Sequence, residues 1–196
     1  MTAPVVTALR ERPRGRVEVQ LDGAPWRLVP ADAVVRTGLA VGRVLDRETA
    51  RMLGRELRRA DALGRALRAL GPRDRSRRAL ADRLTRAGVR DDARDDVLAT
   101  LEEVGLVDDA RVAATRARSL ADRGYGDAAI RYDLEREGVA ADHVEAALEA
   151  LDLERDRAKA LVERRGDEPK TARWLASKGF DASSIEDALG GFAEEG

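Results

Sequence analysis

The segment LEREGVAADHVEAAL at residues 134–148 has the same pattern as LASKGFDASSIEDAL at residues 175–189. In each, a Gly follows the first Leu by four residues, an apolar residue follows the Gly, and Ala-Leu closes the segment. A third copy, LTRAGVRDDARDDVL at residues 84–98, keeps the spacing but has Arg94 where the others have Val or Ile. The pattern predicts a unit that occurs three times. We expect the first copy to be less tightly packed at Arg94 or to pack against the segment before it.

The spacing within one copy is typical of two helices joined at a glycine corner. Gly readily adopts the left-handed conformation that ends a helix, and the apolar residue after it can turn inward over the helix end. A further helical segment precedes each corner, so the sequence predicts three tandem three-helix repeats. Because units this small bury little surface alone, we expect neighbouring repeats to stack into an elongated array.

The first 45 residues follow a different pattern and predict a small β-rich module. Apolar and polar residues alternate, as in half-buried strands, at residues 5–12 and 15–21, and residues 25–29 are interpreted as the returning strand. Asp22 and Gly23 form a dipeptide that favours a hairpin turn. Pro30 begins a short helical segment that we expect to end at Gly38.

The helical pattern begins at Asp46. The apolar residues of the first long helix fall near one stripe, at Met52, Leu53, Leu57, Leu63, Leu67 and Leu70. Gly71 and Pro72 end this helix because Pro cannot continue it, and Ser76 can cap the next one. We predict a β-rich module at 1–45, a linking helix with the first repeat at 46–105, and further repeats at 106–151 and 152–196.

Composition supports a helical protein and narrows the possible chemistry. The 196 residues are 43% hydrophobic but only 3% aromatic, so Ala, Leu and Val must form the core. The absence of Cys excludes disulfides, thiolate metal sites and cysteine nucleophiles. We find no signal peptide and no membrane-spanning stretch, and we expect a cytoplasmic monomer without a cofactor.

The net charge of −1 hides an uneven distribution along the chain. Residues 1–75 carry 16 Arg and 9 acidic residues, whereas residues 127–196 carry 10 basic and 18 acidic residues. The segment between them is balanced. A basic end can meet phosphates, and an acidic end would be repelled by them.

Few residues could carry catalysis. His143 is the only histidine, and we interpret it as a solvent-facing or capping residue at a helix start. Asp108 and Asp109 could bind Mg²⁺ if a third ligand joined them, but they also precede an Ala- and Arg-rich helix. There, one carboxylate would cap the helix and the other would favour its positive dipole end. The capping interpretation is the stronger of the two.

Two further features have structural interpretations. The turn at residues 124–126, Gly-Tyr-Gly, lacks the preceding strand of a phosphate loop. We expect it to break one helix and to let Asp127 cap the next. Trp26 and Trp174 are the only tryptophans, and both are predicted to pack in the core or between helices.

Arginine is the remaining functional signal, because phosphate neutralisation needs basic residues aligned on one surface. Four arginines are spaced by two and could share one face of a hairpin, at Arg10, Arg12, Arg14 and Arg16. Others decorate the first two repeats, at Arg77, Arg78, Arg83, Arg86, Arg116, Arg118, Arg123, Arg131 and Arg136. Ordinary solvated helix faces remain an equal alternative, since no aromatic platform for single-stranded bases accompanies them in the sequence.

These segments resemble the RecX family, regulators of the bacterial RecA recombinase. The most specific part is GLVDDAR at residues 105–111 followed by GYGDAAIRYDLEREGV at residues 124–139. RSRRALADRLTRAGV at residues 75–89 and ARWLASKGF at residues 172–180 add to the resemblance. The β-rich start is similar to an extension that some RecX proteins carry.

The resemblance implies a non-enzymatic regulator that acts in DNA repair, recombination and the SOS response. A curved helical body of this kind would lie in the groove of the RecA–DNA filament and limit filament growth, ATP turnover and strand exchange. Some family members also bind DNA directly. The residues expected to contact the filament or its DNA are Arg77, Arg78, Arg83, Arg86, Arg111, Arg116, Arg123 and Arg131. A stand-alone DNA-binding protein that uses Arg10, Arg12, Arg14 and Arg16 is the alternative.

The chain also departs from the family pattern. The capping box that usually opens the first corner lacks its Glu, because Ala79 stands at that position. Val112 replaces an aromatic residue. Basic residues common around the Gly-x-Gly turn are replaced by Leu120, Asp122, Ala128 and Ala129.

Overall fold

The computed structural model describes residues 3–71 and 74–190. This part of the chain is mainly helical, with one small antiparallel sheet at its start, as the sequence predicts. The strands are β1 (Val6–Arg12), β2 (Arg16–Leu21) and β3 (Ala24–Pro30). The helices are α1 (Ala31–Thr37), α2 (Arg47–Leu70), α3 (Arg77–Arg86), α4 (Asp91–Glu103), α5 (Asp109–Asp122), α6 (Asp127–Glu137), α7 (Ala141–Glu149), α8 (Glu154–Arg165), α9 (Pro169–Ser177) and α10 (Ala182–Gly190). The predicted helix stop at Pro72 lies outside the described residues.

Contacts divide the described chain into two compact units. The first comprises residues 3–71 and 81–101, and the second comprises residues 74–80 and 102–190. In the first unit, the sheet has the order β1-β2-β3. Its buried face carries valines that pack with loop leucines, namely Val6, Val17, Val19, Val29, Leu39 and Leu45. Asp22 and Gly23 both have positive φ, as the predicted two-residue hairpin turn requires.

Helix α2 begins as predicted and buries Leu53 of the predicted stripe, but the stripe differs from the prediction at Leu67. The Asp46 carboxylate caps it by accepting a hydrogen bond from the Thr49 backbone N–H at 2.7 Å. Ala62 and Ala66 are fully buried, whereas Leu67 is 47% exposed, so the predicted stripe is wrong at Leu67. Small alanines allow a close approach along the contact face, and Leu67 lies about 100° around the helix from Ala66.

The three glycine corners are confirmed, and one local motif explains their pattern. Gly88, Gly138 and Gly179 have φ values of 74°, 85° and 85°. In each corner the N–H of the apolar residue after Gly bonds back to the carbonyl of the repeat Leu: Val89 to Leu84 at 3.0 Å, Val139 to Leu134 at 3.1 Å, and Phe180 to Leu175 at 3.2 Å. This bond defines the Schellman helix end, whose Leu and apolar residue pack together.

The first corner is closed by polar contacts instead of aliphatic packing. The Arg94 guanidinium donates to the Thr85 hydroxyl at 3.0 Å and to the carboxylates of Asp91 at 2.8 Å and Asp95 at 2.9 Å. Its side chain is only 21% exposed. Arg94 therefore ties α4 to α3 where the other copies place Val or Ile.

In the second unit, the start of α3 meets the second repeat through backbone caps. The Ser76 hydroxyl, at the start of α3, donates to the carbonyl of Glu137, the residue before Gly138. The Asp109 carboxylate accepts from the N–H of Arg77 at 2.7 Å. Gly138 lies so close to Arg78 that a Cβ there would be 2.5 Å from the Arg78 Cδ.

The second and third repeats meet through the same contacts. The Gly126 N–H donates to the carbonyl of Lys178, the residue before Gly179, at 2.9 Å. The Glu154 carboxylate accepts from the Asp127 N–H, as Asp109 accepts from Arg77. A Cβ on Gly179 would be 2.6 Å from the Ala129 Cβ. Each junction thus joins the start of one repeat's middle helix to the corner of the next repeat.

This junction does not continue past the third repeat. Pro169 occupies the first position of α9, where Arg77 and Asp127 stand in α3 and α6. Because proline has no N–H, the donor that the junction carboxylate needs is missing there.

Candidate partner-binding surface

Four of the eight predicted contact arginines are held by groups of the chain itself. The guanidinium of Arg77 pairs with Glu102 at 2.8 Å, and that of Arg111 reaches Asp74 at 3.4 Å and the Gly105 carbonyl at 3.0 Å. The other two form two-pronged pairs, Arg116 with Asp133 and Arg131 with Glu145. The last pair ties α6 to α7, with Nε and Nη2 of Arg131 at 2.8 and 2.9 Å from the carboxylate.

The other four predicted contact arginines have no carboxylate within ion-pair distance among residues 3–71 and 74–190. Arg78, Arg83 and Arg86 lie exposed on α3. Arg123 lies at the end of α5, where its guanidinium is 5.4 Å from the centre of the Tyr125 ring. These four are the predicted contact arginines that remain available to an anionic partner.

The Arg116–Asp133 pair predicts a loss of stability in acid. The hydrogen bond from Arg116 lowers the pKa of Asp133 below its ordinary value. As the pH falls, Asp133 therefore takes up a proton in the unfolded chain before it does so in the folded chain. The pair contributes its full stability above the unfolded pKa of about 4, and this contribution is lost as the pH falls through the folded pKa. We expect the difference in unfolding free energy between wild type and Asp133→Asn to shrink between about pH 6 and pH 3. Urea denaturation at several pH values measures it, and a constant difference would contradict the assignment.

The arginines of the N-terminal sheet surround one glutamate. Strand register puts Arg10, Arg12 and Arg16 on the face opposite the valine core, beside Glu18. Arg12 pairs with Glu18 at 2.8 Å, and Arg16 donates to a backbone carbonyl of β3 at 3.1 Å. Arg14 lies in the connecting turn with a φ of 63°. Three of the four thus share a face, and Arg14 belongs to the turn.

Both aspartates of the candidate metal pair cap helices. Asp108 accepts from the Arg111 N–H at 2.9 Å and so caps α5, which confirms the capping interpretation. Asp109 caps α3 instead, through Arg77. Within the described ranges, no group of three or more His, Asp or Glu side chains is placed to hold a metal ion.

Replacing Asp109 with Ala is therefore expected to cost roughly 0.5–2 kcal/mol of stability, the usual value of a helix cap. The reason is that the Arg77 N–H loses its acceptor. Thermal unfolding measures the loss, and Glu186→Ala, which removes an exposed carboxylate within α10, is the control. An unchanged melting temperature for Asp109→Ala would show that this cap contributes nothing.

The Gly-Tyr-Gly turn breaks α5 from α6 as predicted, but Asp127 does not cap α6. Gly126 is the N-cap, and Asp127 is the first helical residue. A Cβ on Gly126 would be 2.3 Å from the Phe180 backbone nitrogen. The close approach of the third repeat's corner therefore requires a residue without a side chain at the cap.

Two residues of α8 that sequence reasoning missed hold this turn. The Arg157 guanidinium, 11% exposed, donates to the Tyr125 carbonyl at 2.9 Å and to the Asp127 carboxylate. The Glu154 carboxylate is buried and accepts from the N–H groups of Asp127 and Asp181. Burial raises the pKa of Glu154, although both N–H donors act in the opposite direction.

Arg123 is one end of a series of cations and aromatic rings that spans the second and third repeats. The Lys178 ammonium lies 4.3 Å from the centre of the Tyr125 ring and 5.8 Å from that of Trp174. The Arg165 guanidinium lies 4.0 Å from the Trp174 ring. We call Arg123, Tyr125, Lys178, Trp174 and Arg165 the cation–aromatic strip. Aromatic rings accompany Arg123 here because residues distant in sequence meet at the repeat junction, while the interpretation that no platform for single-stranded bases accompanies the arginines stays a prediction.

The strip continues into a groove of about 800 Å³ between α5 and α6. Arg123 and Tyr125 belong to both. The groove's floor includes Val112, Leu120 and Ala129, and its walls carry Tyr132, Arg116, Arg136, Asp74 and Asp133. Tyr132 is 67% exposed.

The two tryptophans differ from each other. Trp174 is half-buried against the core of the third repeat, as predicted. Trp26 is 42% exposed, so its predicted core position is wrong. The register shift between Val19 and Gln20 leaves Trp26 as the extra residue of a β-bulge, which re-aims its side chain. His143 is half-buried near the start of α7, where its backbone N–H donates to the Asp142 carboxylate.

Comparison with known proteins identifies the repeats. The family model for the first three-helix domain of RecX matches residues 62–101, and the model for the second matches residues 108–148. A search of curated proteins gives no match. In the described part of the chain, every helix is too short or too polar to cross a membrane.

Two solved structures share the fold. One, the crystal structure of regulatory protein RecX, matches with a TM-score of 0.80 and 22% identity over 94% of this chain and 99% of its own. RecX from Lactobacillus salivarius matches with a TM-score of 0.62 and 19% identity over 69% of this chain and 97% of its own. The two consecutive RecX three-helix domains, together with the RecX-like fold over 94% of the chain, support a RecX family protein.

Proposed function

We propose that this protein is a non-enzymatic regulator of the RecA recombinase. It binds the groove of the RecA–DNA filament and mostly inhibits filament growth, ATP hydrolysis and strand exchange during DNA recombination, repair and the SOS response. The observation that carries the proposal is the pair of consecutive RecX domains. It acts in the cytoplasm as a monomer and needs no cofactor.

Features of the second unit support binding to a repetitive partner. Its second and third repeats are fixed to each other by backbone caps, so side chains on these two repeats keep constant spacing. A filament presents the same surface at regular intervals, and a rigid array can contact more than one subunit at once. Opposite charge at the two ends of the sequence would orient the protein in the groove.

Co-sedimentation tests the binding step. We expect the protein to pellet with RecA filaments formed on single-stranded DNA and to remain in the supernatant with RecA alone. Asp142→Ala, which removes an exposed carboxylate outside the groove lining, should pellet like wild type. Recovery of all the protein in the supernatant, with filaments in excess, would contradict the proposal.

Stand-alone DNA binding by the N-terminal module remains the second candidate function. It is favoured by the exposed outer face of the sheet, where Arg10, Arg12 and Arg16 lie. In its favour too, Trp26 and Leu28 are 42% and 45% exposed on β3.

If this candidate is right, changing Arg10, Arg12, Arg14 and Arg16 to Ala should weaken binding to naked DNA and flatten its salt dependence. Each phosphate that the variant no longer neutralises reduces the slope of log K against log salt by about 0.7–0.9. Fluorescence anisotropy of a labelled oligonucleotide at several salt concentrations measures both. Equal affinity and slope for the variant and wild type would exclude the N-terminal module as the DNA site.

A further inference from the structure

The cation–aromatic strip holds three positive charges that the described chain leaves unneutralised. Among residues 3–71 and 74–190, no carboxylate lies within ion-pair distance of Arg123, Lys178 or Arg165. The same two repeats contain many paired arginines, such as Arg116, Arg131 and Arg157. Arg118, Lys159 and Arg164 are also unpaired in the described residues, so the strip differs from other free cations by its contacts with aromatic rings.

The rings hold these charges in place. Arg123 and Lys178 lie 5.4 and 4.3 Å from the centre of one ring, that of Tyr125, so the two cations are within about 10 Å of each other. Lys178 and Arg165 lie 5.8 and 4.0 Å from the centre of the Trp174 ring, which gives the same limit. Cation–π contacts restrict the long side chains, so less conformational entropy is lost when an anion binds.

We infer that the cation–aromatic strip and the adjoining groove bind an acidic segment of a protein partner. Carboxylates of the segment pair with Arg123, Lys178 and Arg165, while its aliphatic side chains enter the groove over Val112 and Leu120. The inference rests on the proposed function in one respect: it takes the segment to belong to a protein of the RecA filament.

Charge and ring geometry favour a peptide over a nucleic acid strand. The faces of Tyr125 and Trp174 are already covered by cations and are not free to stack on bases. Asp74 and Asp133 line the groove and would repel a continuous phosphate backbone. The surrounding segment, residues 127–196, carries 10 basic and 18 acidic residues. This negative charge repels a long polyanion, whereas a few carboxylates can still bind when each pairs directly with a cation.

The strip can be tested without RecA, because Trp174 is part of it. In a Trp26→Phe background, Trp174 is the only tryptophan, and its fluorescence should change on titration with a short synthetic peptide of alternating Glu and Leu. The triple variant Arg123→Gln, Lys178→Gln, Arg165→Gln should bind about tenfold more weakly, as the loss of exposed ion pairs allows. The matched control is Arg118→Gln, Lys159→Gln, Arg164→Gln, three exposed cations outside the strip that are also unpaired in the described residues. It should bind like wild type.

Other outcomes overturn the inference. No fluorescence change with the Glu-Leu peptide at low salt, or equal weakening by both triple variants, means that the strip is not an acidic-segment site. Tighter binding of an oligothymidylate that the strip variant abolishes assigns the strip to nucleic acid instead. Circular dichroism of each triple variant establishes that it is folded.

The link to the filament is tested separately. If wild type inhibits RecA ATP hydrolysis and the strip variant needs about tenfold more protein, the segment belongs to the filament. If wild type inhibits and the strip variant inhibits equally, the strip does not serve filament binding. If wild type does not inhibit at all, the filament proposal fails, while the Trp174 titration still decides whether the strip binds acidic peptides.

Discussion

Replacing Gly126 with Ala is expected to destabilise the second unit by roughly 3 kcal/mol, the upper part of the range for overpacking. The new Cβ would be 2.3 Å from the Phe180 nitrogen and 2.4 Å from the carbonyl carbon and oxygen of Gly179. These are backbone atoms, so no side-chain rotation relieves the clash, and the third repeat's corner must move away. The bond from the Gly126 N–H to the Lys178 carbonyl would be broken with it.

Urea denaturation followed by Trp174 fluorescence, in a Trp26→Phe background, measures this effect in the second unit. Gly190→Ala is the matched control, because a Cβ at Gly190 meets no atom within 4 Å. The control should change stability by less than about 1 kcal/mol. Similar stability for both variants would mean that the second and third repeats are not packed as closely as described.

Replacing Arg157 with Ala should lower the free energy of unfolding by about 3 kcal/mol. We take the low end of the range for breaking a buried ion pair because the partner, Asp127, is 34% exposed. The variant leaves the Tyr125 carbonyl and the Asp127 carboxylate without their donor. It also removes the guanidinium that lies 5.8 Å from the Phe180 ring. The turn that carries Tyr125 would lose its main side-chain support.

Helix α8 provides the control for this variant as well. Arg155 is 55% exposed and reaches Asp156 only at 3.8 Å, so Arg155→Ala should change stability by less than about 1 kcal/mol. Arg157→Lys keeps the charge but not the fork of donors, and it should recover only part of the loss. A loss for Arg155→Ala equal to that for Arg157→Ala would show that general charge, and not the buried contacts of Arg157, stabilises the helix.

The corners could be predicted from the sequence because their cause is local. Leu, Gly and the next apolar residue lie within six positions, and the Schellman bond connects the first of them to the last. The hairpin at Asp22 and Gly23 is predictable for the same reason. The predicted burial of Leu67 is wrong because the spacing of large apolar residues does not reveal that small alanines, such as Ala62, form the buried contact face.

The junctions could not be predicted, because their partners lie far apart in sequence. Asp109 caps a helix whose first residue, Arg77, is 32 positions away, and Glu154 accepts from Asp127, 27 positions away. One signal was present: Glu154 falls four and eight residues before Ala158 and Val162, both buried, and so lies on the apolar stripe of α8. The strip joins Tyr125 to Trp174 across the same junction and was missed for the same reason.

ATP hydrolysis by the cognate RecA on single-stranded DNA, titrated with this protein, tests filament regulation most directly. A protein that binds the filament groove and limits its growth should lower the steady-state rate at substoichiometric ratios. The control triple variant Arg118→Gln, Lys159→Gln, Arg164→Gln should inhibit like wild type. An unchanged rate of hydrolysis at equimolar protein and RecA would contradict filament regulation.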